Sequence, residues 1–115
     1  MIKSVSLLFR NPAFTQDEFQ AYWENVHAPL VKSLLPGLIH YCGSFPVPGV
    51  GASPHGGAIE CDGIVELGWP DLETMNRDMT SPALNSPERE ASSARLMNLS
   101  RTLVRIVEEV KVDPG

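Results

Sequence analysis

The side chain best placed to do chemistry is the histidine of Trp23-Glu24-Asn25-Val26-His27-Ala28-Pro29-Leu30. It belongs to an apolar helical stripe of Phe19, Tyr22, Trp23, Val26, Leu30 and Leu34, and Pro29 breaks that helix two residues later. An imidazole kept from water holds a low pKa, stays neutral and can take a proton at neutral pH. Pro29 cannot donate to the carbonyl of Asn25, so that carbonyl is the expected acceptor for the ring N–H. Such a bond either orients a base or caps a broken helix, and the sequence allows both.

Other residues are candidates for the same pocket. A hydroxyl from Tyr41 would bind a substrate carbonyl or phenol, unless that ring is core or rim. Trp23 and Trp69 offer flat faces on which a ring can stack, and both also fit apolar stripes. Glu66 is a possible carboxylate partner for His27, but it alternates away from Val65 and Leu67, as a solvated or interface residue would. His55 lies among glycines and prolines and would serve as a second acid or base if its loop closed over a ligand. His40 alternates away from Tyr41 and is expected outside the site. A metal is not expected: His27, His40 and His55 have no i, i+4 partner, and no His-Glu-x-x-His occurs. No G-x-S-x-G elbow supports a serine nucleophile. The glycines match neither a phosphate loop nor a dinucleotide fingerprint.

These residues must be held by a small number of elements. Residues 2–10 alternate, with Val5, Leu7 and Phe9 on one face and Ser4 and Ser6 on the other, as in a strand. Thr15 and Glu18 form a Thr-x-x-Glu capping box at a helix start, with Phe14 and Phe19 at staple spacing. The helix should bend or restart near Ala28 and end at Pro36-Gly37. Residues 38–47 and 62–69 read as strands. Between them, 46–60 form a Gly/Pro-rich loop of the length used for lids, binding loops or flexible segments. Helical pieces follow over 71–79 and 87–98, and a last strand over 102–112. The order β-α-β-β-α-β predicts an α+β fold with helices on one face of a four-stranded antiparallel sheet. The bare face, carrying either Val104 and Ile106 or Leu103 and Val107, would be buried by a partner, most simply a second copy.

The 115 residues suit one domain spanning 1–115. A formal charge of −5 without a Lys/Arg cluster argues against nucleic acid and against an anionic membrane surface. No apolar run would span a bilayer and no signal-peptide pattern is present, so a cytoplasmic protein is expected. Cys42 and Cys61 form no CxxC motif and are expected to be free thiols.

Three blocks carry a family likeness. They are Phe14-Thr15-x-x-Glu18-Phe19-x-x-Tyr22-Trp23-x-x-x-His27-Ala28-Pro29-Leu30, Pro36-Gly37-Leu38-x-x-Tyr41, and Asp62-Gly63-Ile64-x-Glu66-x-x-Trp69. Together they resemble the EthD family of the dimeric α/β-barrel superfamily, over residues 2–70 and by position in the last strand. Between 80 and 101 the chain lacks the acidic and aromatic residues expected of the second helical region. The resemblance implies a ferredoxin-like monomer, a homodimer formed through the sheet face, and a pocket between sheet and helices. It further implies cofactor-free chemistry on a hydrophobic, oxygenated, cyclic small molecule: isomerisation, cyclisation or dehydration begun by proton transfer. His27 and Tyr41 would be catalytic, and Trp23, His55, Glu66 and Trp69 would bind substrate. The alternatives are an oxidoreductase, as such proteins are often described, and a non-catalytic binding protein of a catabolic operon.

Overall fold

The computed structural model describes residues 1–51 and 55–115. Strand β1 (Ile2–Leu8) leads to α1 (Gln16–Tyr22), one π turn (Trp23–His27) and α2 (Ala28–Leu34). Strands β2 (His40–Ser44) and β3 (Gly63–Trp69) follow. Then come α3 (Leu72–Met79), α4 (Pro87–Leu96), a 3-10 turn (Leu99–Arg101) and β4 (Leu103–Glu108). The strands form one antiparallel sheet in the order β2-β3-β1-β4. With crossovers through helices, this is the ferredoxin-like α+β arrangement.

Helices α1, α3 and α4 begin at side-chain caps that the sequence carries. The Thr15 hydroxyl accepts from the Glu18 N–H at 3.2 Å, and the Glu18 carboxylate accepts from the Thr15 N–H at 2.9 Å, so two orphan amides are satisfied reciprocally. Asp71 caps α3 and Ser86 caps α4, with Pro87 as the first residue of the helix. The expected break at Pro29 is also found, since α2 restarts at Ala28. The helix reaches it through a π turn, in which the Ala28 N–H bonds to the carbonyl of Trp23, five residues back.

That turn shifts the inward stripe by one residue. Val26 was expected inside and is 46% exposed, whereas His27 is only 6% exposed. Downstream, Val31 and Leu35 are buried instead of Leu30 and Leu34. A π turn accommodates one extra residue, so everything after it arrives one position late relative to an uninterrupted α-helix.

The register settles which faces are covered. Ile2, Ser4, Ser6 and Leu8 lie beside Trp69, Leu67, Val65 and Gly63 on the helix side. The helix-facing side of β1 is therefore its serine face, and Val5 and Leu7 point outward. Alternation tells which residues share a face but not which face is inward. Two packed clusters fill the space under the helices. One contains Val31, Leu35, Trp69, Met75 and Leu84, the other Leu8, Phe19, Val65 and Leu96. On β4, Val104 and Ile106 share the helix side with Ser6 and Ser4, yet stay exposed at the sheet edge. Leu103 and Val107 share the outer side with Leu7 and Lys3.

Part of the expected 46–60 loop, residues 52–54, lies outside the described residues. Before it, Pro48-Gly49 makes a turn closed by Val50 N–H to Val47 C=O, and Gly49 supplies the positive φ of 77° that the turn needs. Among the described residues no helix is long and apolar enough to cross a membrane.

Candidate functional site

His27 ends the π turn, and the one-residue shift brings it under α4. Its Nδ1 lies 2.9 Å from the hydroxyl of buried Ser92, which is 3.1 Å from the Tyr22 hydroxyl. The expected bond to the Asn25 carbonyl is not the one made; Ser92, 65 residues further on, takes its place. No described residue bonds Nε2. No buried side-chain nitrogen or oxygen among the described residues lacks a partner, so Nε2 is not sealed in protein. It belongs to a ring lining a cavity of about 280 Å³ between sheet and helices.

The cavity has a mixed wall. Val31, Leu35, Leu67, Met79, Leu84 and Val104 give its apolar part. Ser4 and Ser6 come up from β1, while Asn85, Arg89 and Ser93 come from the α4 region. Burial, and then the charge of Arg89, lower the His27 pKa from 6.5 to about 4. The imidazole is consequently neutral throughout the neutral range.

The other expected site residues are dispersed. Tyr41 and Trp23 line a second, more open groove of about 690 Å³, together with His40. His40 had been expected outside the site. The two aromatic rings meet edge to face at 5.5 Å. Trp23 lies so close over Gly43 that a Cβ there would stand 2.8 Å from its ring. Burial pushes the Tyr41 phenol up. His27 and Tyr41 thus line different cavities, and Leu35 is the residue common to both walls.

Trp69 is fully buried, with its indole N–H donating to Asp78 at 2.9 Å, so its ring has no free face for a ligand. Of the two readings of Trp69 open in the sequence, a stacking platform and a packing residue, its burial fits packing. Glu66 is on the outer side of the sheet, and the expectation of a carboxylate beside His27 is corrected accordingly. His55 lies in an exposed turn and lines neither cavity.

Potential metal donors meet on the outer face. His40 and Cys42 on β2 and Glu66 on β3 bring their ligand atoms within 4.8 Å of one another. The Lys3 ammonium already donates to Glu66 at 2.6 Å and also pairs with Glu109, holding both carboxyls below the usual range. A dication there would have to displace an ammonium. The sequence search for histidines at helical spacing could not detect this cluster, whose members are brought together across strands. Cys42 and Cys61 are free thiols, and burial pushes both up.

Sequence reasoning missed Ser92 and Arg89. The available signal was weak: α4 reads as small and polar residues, yet Ser92, Ser93 and Leu96 are its buried face.

Comparison with known proteins places this geometry in context. A family model described as EthD domain matches residues 11–91. No curated protein matches the chain. Among solved structures, an EthD family protein from Bacillus halodurans is 23% identical, with a TM-score of 0.63 over 96% of this chain and 99% of the other. An EthD-like protein from Ralstonia eutropha is 16% identical, with a TM-score of 0.67 over 98% and 96%. SnoaB from Streptomyces nogalater, described as a cofactor-independent oxygenase, is 11% identical, with a TM-score of 0.62 over 99% and 97%.

Proposed function

The chain belongs to the EthD family, and from that premise we propose that it is a cofactor-free acid–base enzyme acting on a small, largely apolar, oxygenated cyclic molecule, with His27 as the proton acceptor. The observation that carries this reading is a neutral imidazole on a cavity wall, bonded among the described residues through Nδ1 alone. The tautomer in which Nδ1–H donates to the Ser92 hydroxyl leaves the lone pair on Nε2, facing the cavity. The substrate's C–H next to a carbonyl or lactone gives its proton to Nε2, and the C–H bonding pair moves into an enolate. Return of the proton from His27 at another carbon isomerises the molecule. Attack by the enolate carbon on a second carbonyl of the same molecule, whose π pair moves to its oxygen and takes that proton, cyclises it. Departure of a β-hydroxyl as water, carrying the proton from His27, dehydrates it.

The same enolate could donate electrons to dioxygen. The fold shared with a protein described as a cofactor-independent oxygenase supports this as the second reading.

Deuterium exchange tests the first step. Lactones and phenolic ketones are incubated with the protein in heavy water and followed by proton NMR. Exchange next to the carbonyl is expected, falling about 10²–10⁴-fold in His27→Ala, the usual contribution of a general base. Undiminished exchange in that variant would sink the assignment, as would a screen with no exchanging compound.

We also propose that two copies pair through the outer sheet face, where Val5, Leu7, Ile64, Leu103 and Val107 lie together by register. A dimeric ferredoxin-like protein from Thermobifida fusca, 15% identical with a TM-score of 0.59 over 92% and 88%, supports the pairing.

A further inference from the structure

We propose that Arg89 is the anion-binding group of the His27 cavity, so that the substrate is a molecule that carries or develops an oxyanion there, such as an enolate or phenolate. The proposal rests on the reading of this cavity as the substrate site and names what it binds.

Among the described residues, Arg89 is the one cationic residue on the cavity wall, and none of them on that wall is anionic. Among the described residues its guanidinium is held by neutral acceptors only. Nε donates to the Leu84 carbonyl at 2.8 Å, and the terminal nitrogens reach Ser93 and Asn85 at 3.4 Å each. No carboxylate among the described residues forms an ion pair with it. The rest of the molecule has a formal excess of acidic groups, so an arginine without a countercharge, half-buried beside a cavity, is set apart. A partly desolvated guanidinium gains most from an anionic oxygen, to which it can present two parallel N–H donors.

The placement complements the imidazole. As a base lowered to about 4, His27 is weak. Arg89 contributes to that lowering while its charge is uncompensated. An oxyanion bound to the guanidinium cancels this field and raises the basicity of Nε2 as the proton is transferred. Arg89 also holds the enolate oxygen where charge collects once the C–H pair has moved. The cavity of about 280 Å³ is at the lower end of small-molecule sites, which fits one ring or two fused rings.

The test uses 4-nitrophenol, whose ionised and neutral forms absorb differently and which titrates near neutrality. Bound to the unaltered protein it should ionise about one pH unit or more below its free value, the effect of an adjacent opposite charge. Arg89→Gln keeps a donor for the Leu84 carbonyl but removes the charge, and should abolish that preference. Arg89→Lys should restore part of it, which separates loss of charge from loss of fold. Equal preference for phenolate in Arg89→Gln, preference for the neutral phenol in the unaltered protein, or no binding at all would overturn the proposal. The probe has no exchangeable C–H next to a carbonyl, so its ionisation is independent of whether His27 acts as a base. Phenolate bound by His27→Asn supports the Arg89 assignment whether or not that variant still exchanges substrate protons. Loss of phenolate preference in His27→Asn with Arg89 intact counts against it.

Discussion

An imidazole surrounded by protein has to be either paired with an acid or kept neutral, and His27 is kept neutral. Burial and the nearby Arg89 charge act in the same direction and set its pKa to about 4, against 6.5 when exposed. The unfolded chain therefore binds a proton near pH 6.5 that the native protein refuses until about pH 4. Stability present above pH 6.5 should be lost as the pH falls through that window, at up to about 1.4 kcal/mol per pH unit from this group. Urea denaturation at several pH values, comparing the unaltered protein with His27→Gln, isolates the effect, because the carboxylates contribute equally to both. The curves should diverge between pH 6.5 and 4, with the variant less sensitive. Parallel curves would mean that the imidazole is not held neutral. The activity of a neutral base should correspondingly persist into mildly acidic solution, and its lower limit should rise when substrate engages Arg89.

The element that decides the site is the π turn between α1 and α2. Its neighbours were legible in the sequence: the capping box at Thr15 and Glu18, and the restart of the helix beside Pro29. The turn itself was not. A proline announces a missing N–H but not how the chain absorbs it, and here the preceding N–H reaches back five residues instead of four. That one step turns Val26 outward and keeps His27 on the inward face. It also explains why Ser92 was invisible as a partner, since a contact spanning 65 residues depends on tertiary phase. The inward serine face of β1 escaped for a related reason: polar residues face inward where they line a cavity, and periodicity cannot distinguish that from facing water. π turns are commonly one-residue insertions retained for function. Deleting exposed Asn25 together with Pro29→Ala should restore an unbroken α-helix with Val31 and Leu35 still inward. The melting temperature should hold or rise by a few degrees, since proline strain is removed, and proton exchange by His27 should persist, since the imidazole keeps the inward phase of Val31 and Leu35. A large fall in melting temperature would show that the turn is required by the fold and not by the site.

At the scale of the whole molecule, the outer sheet face has two regions with different consequences. At the end of the sheet nearest Lys3, the side chains of Lys3, Glu66 and Glu109 satisfy one another with His40 and Cys42 alongside. Across β3, β1 and β4, Val5, Leu7, Ile64, Leu103 and Val107 lie on the side of the sheet opposite the helices. Leu103 is 59% exposed. An apolar surface of this kind on an isolated chain favours association, and a two-fold pairing would lay each apolar region against the other copy while leaving the helix-side cavity open. Sedimentation equilibrium should therefore give a dimer at micromolar concentration. Leu103→Asp should give a monomer, because burying an unpaired carboxylate in that interface costs several kcal/mol. The substitution is at a site already exposed to water in the single chain, so a monomer that keeps its far-UV spectrum and still binds 4-nitrophenolate would separate assembly from the site. If the variant remains dimeric, the copies meet elsewhere. If the unaltered protein is itself a monomer, the apolar outer face has another occupant and the resemblance to dimeric relatives stops at the fold.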